Sequence, residues 1–220
     1  MDILKEISQY LQSGDNEKVS ALTKKAVAQK IPPKEILDKA LIAGMDIIGE
    51  KYKNHEIFLP DVLFTAKAMY EGMDVLKPLF IKEGIPAIGR VVIGTVYGDL
   101  HDIGKNLVCI MLKGAGFDVI DLGNSVPPEK FIETAKQSNA SVIGMSALLT
   151  TTMPVMKRVI ELLKKERLIG KIKTIIGGAP VSEEFAKEIG ADAYGYDSTQ
   201  AVECVRRFIK GCASLESNAR

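Results

Sequence analysis

The second half of the chain repeats a strand–helix pattern, and this feature limits the possible folds more than any other. After Arg90 the apolar runs VVIGTV, DVIDLG, SVIGMS, IKTIIGG and ADAYG each precede a candidate helix, at 104–115, 128–138, 152–167, 182–189 and 198–210. Short apolar strands that alternate with helices indicate a parallel sheet with helices on both faces. The sequence therefore predicts an α/β domain built on five parallel strands.

A five-stranded, doubly wound sheet of the Rossmann-like (flavodoxin-like) class commonly has the strand order 2-1-3-4-5. Strands 1, 3 and 4 are then neighbours, and ligands bind beyond their carboxyl ends. Three motifs fall at these ends: GDLHDIGKN at 98–106, Ser146-Ala147-Leu148, and Gly177-Gly178. We expect the three motifs to converge on one crevice.

The first part of the chain has helical periodicity and few strand signals. Breaks at Ser13-Gly14-Asp15, Pro32-Pro33 and Phe58-Leu59-Pro60 divide residues 1–82 into four apolar-striped segments, which predict a small antiparallel four-helix bundle. Asp15 is a candidate N-cap for the second helix. We therefore predict a helical cap domain at 1–85, an α/β domain at 86–215 and a polar tail at 216–220, with a linker near 83–89.

Charge and composition exclude several classes of protein. The chain has 29 Lys and Arg against 28 Asp and Glu, a formal net charge of +1. A basic nucleic-acid binder is therefore not expected. No apolar run reaches the length of a membrane helix, and the amphipathic, acidic N-terminus is unlike a signal peptide. Three cysteines at 109, 204 and 212 are typical of structural thiols in a reducing compartment. We expect a cytoplasmic protein that binds neither nucleic acid nor membrane.

The loop after the first strand contains the main candidate for chemistry. His101 is one of two histidines, and Asp99 lies two residues before it. A carboxylate that accepts a hydrogen bond from one ring nitrogen leaves the other nitrogen available for a metal. One histidine without a cysteine or carboxylate cluster cannot complete a zinc site. The metal would therefore arrive already coordinated, as in a macrocycle, with His101 as its axial ligand.

The neighbouring residues each have a structural interpretation as well. Asp102 precedes a helix and most simply caps it. Gly104 allows a bulky ligand or the next helix to approach closely. Ser146 could only end its strand, and Gly177-Gly178 could only form a turn. Convergence of the motifs on one crevice favours a ligand-binding interpretation, in which the small residues leave a slot and the hydroxyl of Ser146 offers a hydrogen bond.

These motifs together resemble the signature of cobalamin-binding domains. The pattern is Asp99-x-His101-x-x-Gly104, then Ser146-x-Leu148, then Gly177-Gly178, with 41 residues between the first two parts and 28 between the last two. Both spacings are similar to those of cobalamin-dependent methionine synthase. The segment GEKYKNHEIFLP at 49–60 resembles the cap that precedes the cobalamin domain of that enzyme. The whole chain resembles the stand-alone corrinoid proteins of methyltransferase systems, which serve methanol, methylamines, glycine betaine or methoxylated aromatics.

The resemblance implies a cobalamin or related corrinoid cofactor, in its methylcobalamin form, and a role for each matching residue. His101 would ligate the cobalt, supported by Asp99, and Thr152 would occupy the position of a relay serine. Ser146 and Thr150 would hydrogen-bond the displaced lower base and its nucleotide tail, for which Gly177 and Gly178 would leave room. Tyr52 and Leu59 would shield the bound methyl group. The remaining implied cofactor contacts are Gly98, Leu100, Asp102, Ile103, Gly104 and Leu148.

By the same resemblance, the protein is a methyl carrier of one-carbon metabolism, of the methanogenic or acetogenic kind, and not a complete enzyme. Its partners would be a substrate:corrinoid methyltransferase, a corrinoid:acceptor methyltransferase and a reductive activase.

Three alternatives remain open at this point. The motif also occurs in cobalamin subunits of adenosylcobalamin mutases, although the FLP-containing cap favours a small methyl group. Cobalamin-based regulators need a DNA-reading module, and the helical part leaves no room for one. A flavodoxin-like module without corrinoid would bind phosphate through a glycine loop at the first helix, and GDLHDIGKN is not GxGxxG.

Overall fold

The computed structural model describes residues 2–83 and 88–217. The chain divides into two compact units, Met1–Ala87 with Lys113–Gly116 and Ile88–Leu112 with Phe117–Arg220. Most of the predicted linker at 83–89, and the last three residues of the predicted polar tail, lie outside the described residues. No helix in the described part of the chain is long and apolar enough to cross a membrane.

The first unit is helical, as predicted. Its elements are α1 (Ile3–Gln12), α2 (Asn16–Ala28), α3 (Pro33–Ile36), a π-helical stretch (Leu37–Ile42), α4 (Ala43–Lys53) and α5 (Leu59–Glu83). The Asp15 carboxylate accepts a hydrogen bond from Lys18 N at 3.1 Å and caps α2, which confirms that prediction. The third predicted helix differs in detail, because it contains the π-helical stretch between α3 and α4.

Apolar side chains from every long helix form the core of the first unit. Fully buried members include Ile7, Leu11, Val19, Ala26, Leu41, Val62 and Leu76. The helices pack closely at Gly72, where an added Cβ would lie 2.8 Å from Leu41 Cδ2. The apolar stripes of the sequence therefore do form one buried core, which stabilises helices that would be marginal in isolation.

The second unit contains the predicted parallel sheet. Its strands are β1 (Arg90–Thr95), β2 (Asp118–Asp121), β3 (Val142–Ser146), β4 (Lys173–Gly177) and β5 (Ala193–Gly195), in the order β2-β1-β3-β4-β5. All neighbouring pairs are parallel. The helices are α6 (Ile103–Gly114), α7 (Pro128–Ser138), α8 (Pro154–Lys165), α9 (Glu183–Ile189) and α10 (Ser198–Ser217). The fold class and the strand order are confirmed.

The strand register brings the carboxyl ends of four strands into one row. Thr95 pairs with Ser146, Ser146 with Gly177, and Gly177 with Gly195. The loops that follow these residues therefore leave the sheet side by side. This edge is where an open α/β sheet binds ligands.

Helices α7, α8 and α9 cover one face of the sheet. Buried side chains such as Phe131 of α7 and Met156 and Ile160 of α8 pack with Val92, Ile143 and Ile176 of the strands. The helix side chains and the strand side chains in this layer are both apolar, because a parallel sheet covered by helices is buried. The rigid sheet fixes the positions from which the loops at its carboxyl edge begin.

Candidate functional site

The loop after β1 places Asp99 inside the protein. Gly98 takes a positive φ of 84°, which glycine adopts readily, and Asp99 N donates to Val96 O at 3.1 Å to close the turn. The main-chain oxygen of Asp99 accepts from Ser125 N at 2.9 Å. Asp99 is completely buried, so the turn directs a carboxylate into the fold.

That carboxylate accepts five hydrogen bonds. Its Oδ1 accepts from the main-chain N of His101 at 3.1 Å and lies 2.8 Å from His101 Nδ1. Its Oδ2 accepts from Leu148 N at 2.7 Å, Leu149 N at 3.1 Å and Thr152 Oγ1 at 2.9 Å. Asp99 therefore joins the loop after β1 to the loop after β3, and both of its oxygens are fully used.

These hydrogen bonds determine the charge of Asp99. Burial by itself raises the pKa of this carboxyl, but the bonds from Leu148, His101 and Thr152 outweigh burial and hold the pKa well below its usual range. Asp99 is therefore ionised at every pH near neutrality. An ionised carboxylate only accepts hydrogen bonds, so the proton between Asp99 and His101 lies on Nδ1.

His101 presents its other ring nitrogen away from Asp99. Because Nδ1 donates to Asp99, Nε2 is the nitrogen with the lone pair, and half of the His101 side chain is exposed, at 52%. The main-chain oxygen of His101 accepts from Thr95 Oγ1 at 2.8 Å. The structure thus holds one imidazole in one tautomer, with a potential metal ligand at the carboxyl edge of the sheet.

The Thr152 hydroxyl has one proton and two acceptors. Thr152 Oγ1 lies 2.9 Å from Asp99 Oδ2 and 2.8 Å from Leu149 O. The ionised carboxylate is the stronger acceptor of the two. The hydroxyl can therefore support the negative charge of Asp99 without being exposed itself, since Thr152 is buried.

The space available for a side chain differs among the glycines of the site. An added Cβ would lie 1.9 Å from Ala147 O at Gly178, where φ is 122°, and 2.9 Å from Gly195 O at Gly177. Both positions therefore require glycine because of the protein's own main chain, whatever binds there. At Gly104 an added Cβ would meet nothing within 4 Å. The space beside Gly104 is open.

The other predicted contacts of the second unit lie at the same edge of the sheet. Apolar side chains there are unusually exposed for a folded domain, led by Leu100 at 71% and Ile103 at 76%. The remaining residues are Leu148 and Thr150, which are exposed, and Asp102 and Ser146, which are half-buried. Exposed apolar groups around a polar centre are typical of a ligand-binding surface.

Tyr52 and Leu59 belong to the first unit. Tyr52 lies in the last turn of α4 and Leu59 begins α5, and both are half-buried. Phe58 N donates to Asp61 Oδ2 at 2.9 Å, which satisfies the main chain just before α5. The short linking segment at 54–58 therefore has a defined course between the two helices.

Several residues of this site were missed by sequence reasoning. Thr95, Ser125 and Leu149 all contact the Asp99–His101 loop, and Asn124 Nδ2 donates to Leu100 O at 3.4 Å. The clearest signal was Thr95, a polar residue that directly follows the apolar run Val91–Gly94. Ser125 and Asn124 follow β2, which sits beside β1, but nothing in their sequence distinguishes them from ordinary loop residues.

The donor set fits a metal that brings most of its ligands with it. Within residues 2–83 and 88–217, no group of three or more His, Cys, Asp and Glu side chains is arranged to hold a metal ion. His101 Nε2 is a single donor, and the same segment of chain has open space at Gly104 and exposed apolar side chains at Leu100 and Ile103. A planar macrocycle needs this combination of one axial nitrogen and an apolar surface.

Comparison with known proteins finds two B12 binding domain families in this chain. Residues 89–205 match the B12 binding domain family, and residues 3–77 match a second B12 binding domain family. The chain is 45% identical over 203 residues to the dimethylamine corrinoid protein of Methanosarcina barkeri, covering 91% of this chain and 94% of the relative.

Two solved structures have the same fold over nearly the whole chain. One is a chain of the methanol:cobalamin methyltransferase complex MtaBC from Methanosarcina barkeri, with a TM-score of 0.85 at 30% identity over 96% of this chain and 80% of that one. The other is a cobalamin-binding protein from Desulfitobacterium hafniense DCB-2, with a TM-score of 0.76 at 32% identity over 93% of this chain and 98% of that one.

Proposed function

This chain belongs to the family of corrinoid proteins with B12 binding domains, and from that premise we propose that it carries a methyl group on the cobalt of a bound corrinoid. It receives the methyl group from a substrate-specific methyltransferase and passes it to a second methyltransferase. A reductive activase is the third proposed partner. The alternative functions, a mutase subunit or a regulator, have no comparable support among the relatives.

The observation that carries this proposal is the Asp99–His101 pair. An ionised, fully buried carboxylate 2.8 Å from Nδ1 presents Nε2 as the ligand. When bound, the corrin cobalt supplies the methyl-transfer chemistry. His101 Nε2 would hold the cobalt, and Asp99 would make that nitrogen a better donor by accepting a hydrogen bond from Nδ1.

The Nε2 atom of His101 can bind either a metal or a proton. When Nε2 is not a ligand, its lone pair is available to accept a proton. Thr152 then shares the carboxylate charge through Oδ2, at 2.9 Å. Ligation of His101 and the protonation of its ring are therefore linked.

The remaining predicted residues have proposed contacts with the cofactor. Ser146 and Thr150 would hydrogen-bond the displaced base and its nucleotide tail, and the open space at Gly104 would admit the macrocycle. Tyr52 and Leu59 would shield the methyl group with apolar surface. The other proposed contacts are Gly98, Leu100, Asp102, Ile103, Leu148, Gly177 and Gly178.

We propose a methylamine as the methyl donor. Support comes from the 45% identity to a dimethylamine corrinoid protein, against 30% to the chain of the methanol complex. Methylation of the loaded protein by a dimethylamine methyltransferase, compared with a methanol methyltransferase, distinguishes the two donors.

The histidine ligand is tested by spectroscopy of the protein reconstituted with cobalamin under anaerobic conditions. We expect His101→Ala to retain some corrinoid and to change its ultraviolet–visible spectrum, because an axial nitrogen is lost. His55→Ala is the matched control, since it removes the chain's other histidine, which is exposed and lies in the first unit. Spectra of His101→Ala that equal the wild type in every oxidation state would refute the ligand role.

A further inference from the structure

Thr95 ends strand β1 directly below the His101 loop, and its side chain has no part in the sheet. The sheet uses only its main chain: Thr95 N donates to Gly123 O at 3.0 Å, and Thr95 O accepts from Val126 N at 3.0 Å. Its hydroxyl instead donates to the main-chain oxygen of His101 at 2.8 Å. Thr95 is completely buried, so this hydroxyl is held rigidly by the strand.

The hydrogen bond from Thr95 fixes the carbonyl group of His101, whereas Asp99 fixes its main-chain N–H and its ring. Asp99 Oδ1 binds the N–H and Nδ1 of His101, both through one oxygen atom. Thr95 fixes the carbonyl, and with it the peptide plane that leads into α6, whose first turn includes the bond from Asn106 N to Asp102 O at 2.7 Å. Without the Thr95 hydroxyl, this peptide can rotate about the Asp99 contacts and carry the ring with it.

We infer that Thr95 is a positioning residue, which holds the main chain of His101 so that Nε2 keeps its direction toward an axial ligand site. The effect of Thr95 on cobalt ligation rests on the proposed function. The hydrogen bond by which the end of β1 holds the His101 loop is present in the cofactor-free protein as well. One hydrogen bond is expected to change the population of the held conformation by about threefold to tenfold.

The first test uses the cofactor-free protein. Thr95→Val keeps the shape and strand preference of the side chain but removes the donor. We expect the amide proton of His101 to exchange about threefold to tenfold faster in this variant, and Thr95→Ser, which retains a hydroxyl, to stay within about twofold of wild type. Thr95→Ala provides the same comparison if the valine variant does not fold.

A matched control separates positioning from a general loss of stability. Thr174 of β4 is also a buried threonine, and its Oγ1 lies 3.0 Å from Asp192 Oδ2 at the other end of the sheet. Thr174→Val removes a buried threonine hydroxyl away from the site, one that also accepts from Asp192 N at 3.1 Å. We expect it to lower the denaturation midpoint as Thr95→Val does, and to leave the His101 amide exchange rate at its wild-type value after correction for global stability.

The second test uses the protein loaded with cobalamin and reduced to cobalt(II). An axial nitrogen splits the cobalt lines of the electron paramagnetic resonance spectrum into triplets, so the spectrum gives the ratio of histidine-ligated to unligated cobalt. We expect Thr95→Val to lower this ratio by about threefold to tenfold, with rescue by Thr95→Ser and no effect of Thr174→Val.

The results distinguish a failure of the proposed axial ligand from a failure of the positioning role. A wild-type spectrum without nitrogen triplets, or one that His101→Ala does not alter, refutes the proposed axial ligand and leaves the amide exchange test in force. An unchanged His101 exchange rate in both Thr95→Val and Thr95→Ala overturns the positioning role, and so does a normal ligation ratio in a protein whose wild type shows the triplets.

Discussion

The carboxylate of Asp99 connects two loops that lie about 50 residues apart in the chain. It accepts from His101 on its own loop and from Leu148, Leu149 and Thr152 on the loop after β3. Replacing Asp99 by an apolar residue would leave several buried donors without an acceptor, which costs far more than the loss of one hydrogen bond. Asp99 therefore supports the structure of the loops as well as the imidazole. Variants of Asp99 alone cannot separate these two roles.

Glycine substitutions do separate a structural role from a ligand-binding role. At Gly178 an added Cβ would lie 1.9 Å from Ala147 O, at a φ of 122°. We expect Gly178→Ala to destabilise the cofactor-free protein by at least about 2 kcal/mol, because main chain must move. At Gly104 there is no such obstacle, and Gly104→Ala is expected to stabilise the cofactor-free protein by about 0.4–1 kcal/mol, because alanine lowers the entropy of the unfolded chain.

The cobalamin affinity of the two variants then completes the comparison. If Gly104 admits the macrocycle, Gly104→Ala binds cobalamin more weakly than wild type although its fold is more stable. Urea denaturation and cobalamin titration measure the two quantities. Undiminished affinity in Gly104→Ala would remove Gly104 from the proposed cofactor contacts.

At the scale of elements, periodicity explains why the sheet could be predicted from the sequence. Apolar runs with helices between them determine a parallel sheet, and the usual strand order brings the ends of β1, β3 and β4 together. That convergence pointed to Asp99 and His101, and the resemblance to cobalamin-binding domains added Thr152. The π-helical stretch at Leu37–Ile42 was not predictable, because its apolar spacing is the same as that of an α-helix.

Contacts between elements were less predictable than the elements themselves. Ser125 supports the His101 loop only because β2 lies beside β1, and its left-handed φ of 49° has no sequence signal of its own. The main-chain N–H groups of Leu148 and Leu149 donate to Asp99, and a backbone donor does not depend on residue type. The motif residues Asp99, His101 and Thr152 could therefore be picked out from the sequence, whereas the supporting side chains of Thr95, Ser125 and Asn124 and the main-chain donors could not.

Lys105 provides a test of how α6 is anchored. Its side chain is 1% exposed, and its Nζ lies 2.6 Å from the Asp121 carboxylate at the end of β2. We expect Lys105→Met to lower the free energy of unfolding by about 1.5–3 kcal/mol, since it removes the charge-assisted hydrogen bonds between a buried ammonium and a partly exposed carboxylate. The exposed pair Lys136–Glu166 is the control, and Lys136→Met is expected to cost less than about 1 kcal/mol. Equal costs in urea denaturation would show that the Lys105–Asp121 pair does not anchor α6.

At the scale of the whole molecule, the two units have separate cores and separate family matches. Residues 3–77 and 89–205 each match a B12 binding domain family, although His101 and Asp99 lie in the second unit only. The proposal gives the first unit a different task, in which Tyr52 and Leu59 cover the methyl group. Cofactor binding should then protect main-chain amides in both units.

Hydrogen exchange with and without cobalamin tests this division of roles. At a free cobalamin concentration of about 100 times Kd, binding stabilises the bound state by about 2.7 kcal/mol, which slows exchange about 100-fold wherever opening requires release of the ligand. We expect this protection at His101, Leu148 and Leu149, and also in the segment 52–59, with Tyr52→Ala and Leu59→Ala reducing it in that segment. If only the second unit gained protection, the shielding role of Tyr52 and Leu59 would be wrong. The axial ligand role of His101 would stand, because the amides beside it would still respond to the cofactor.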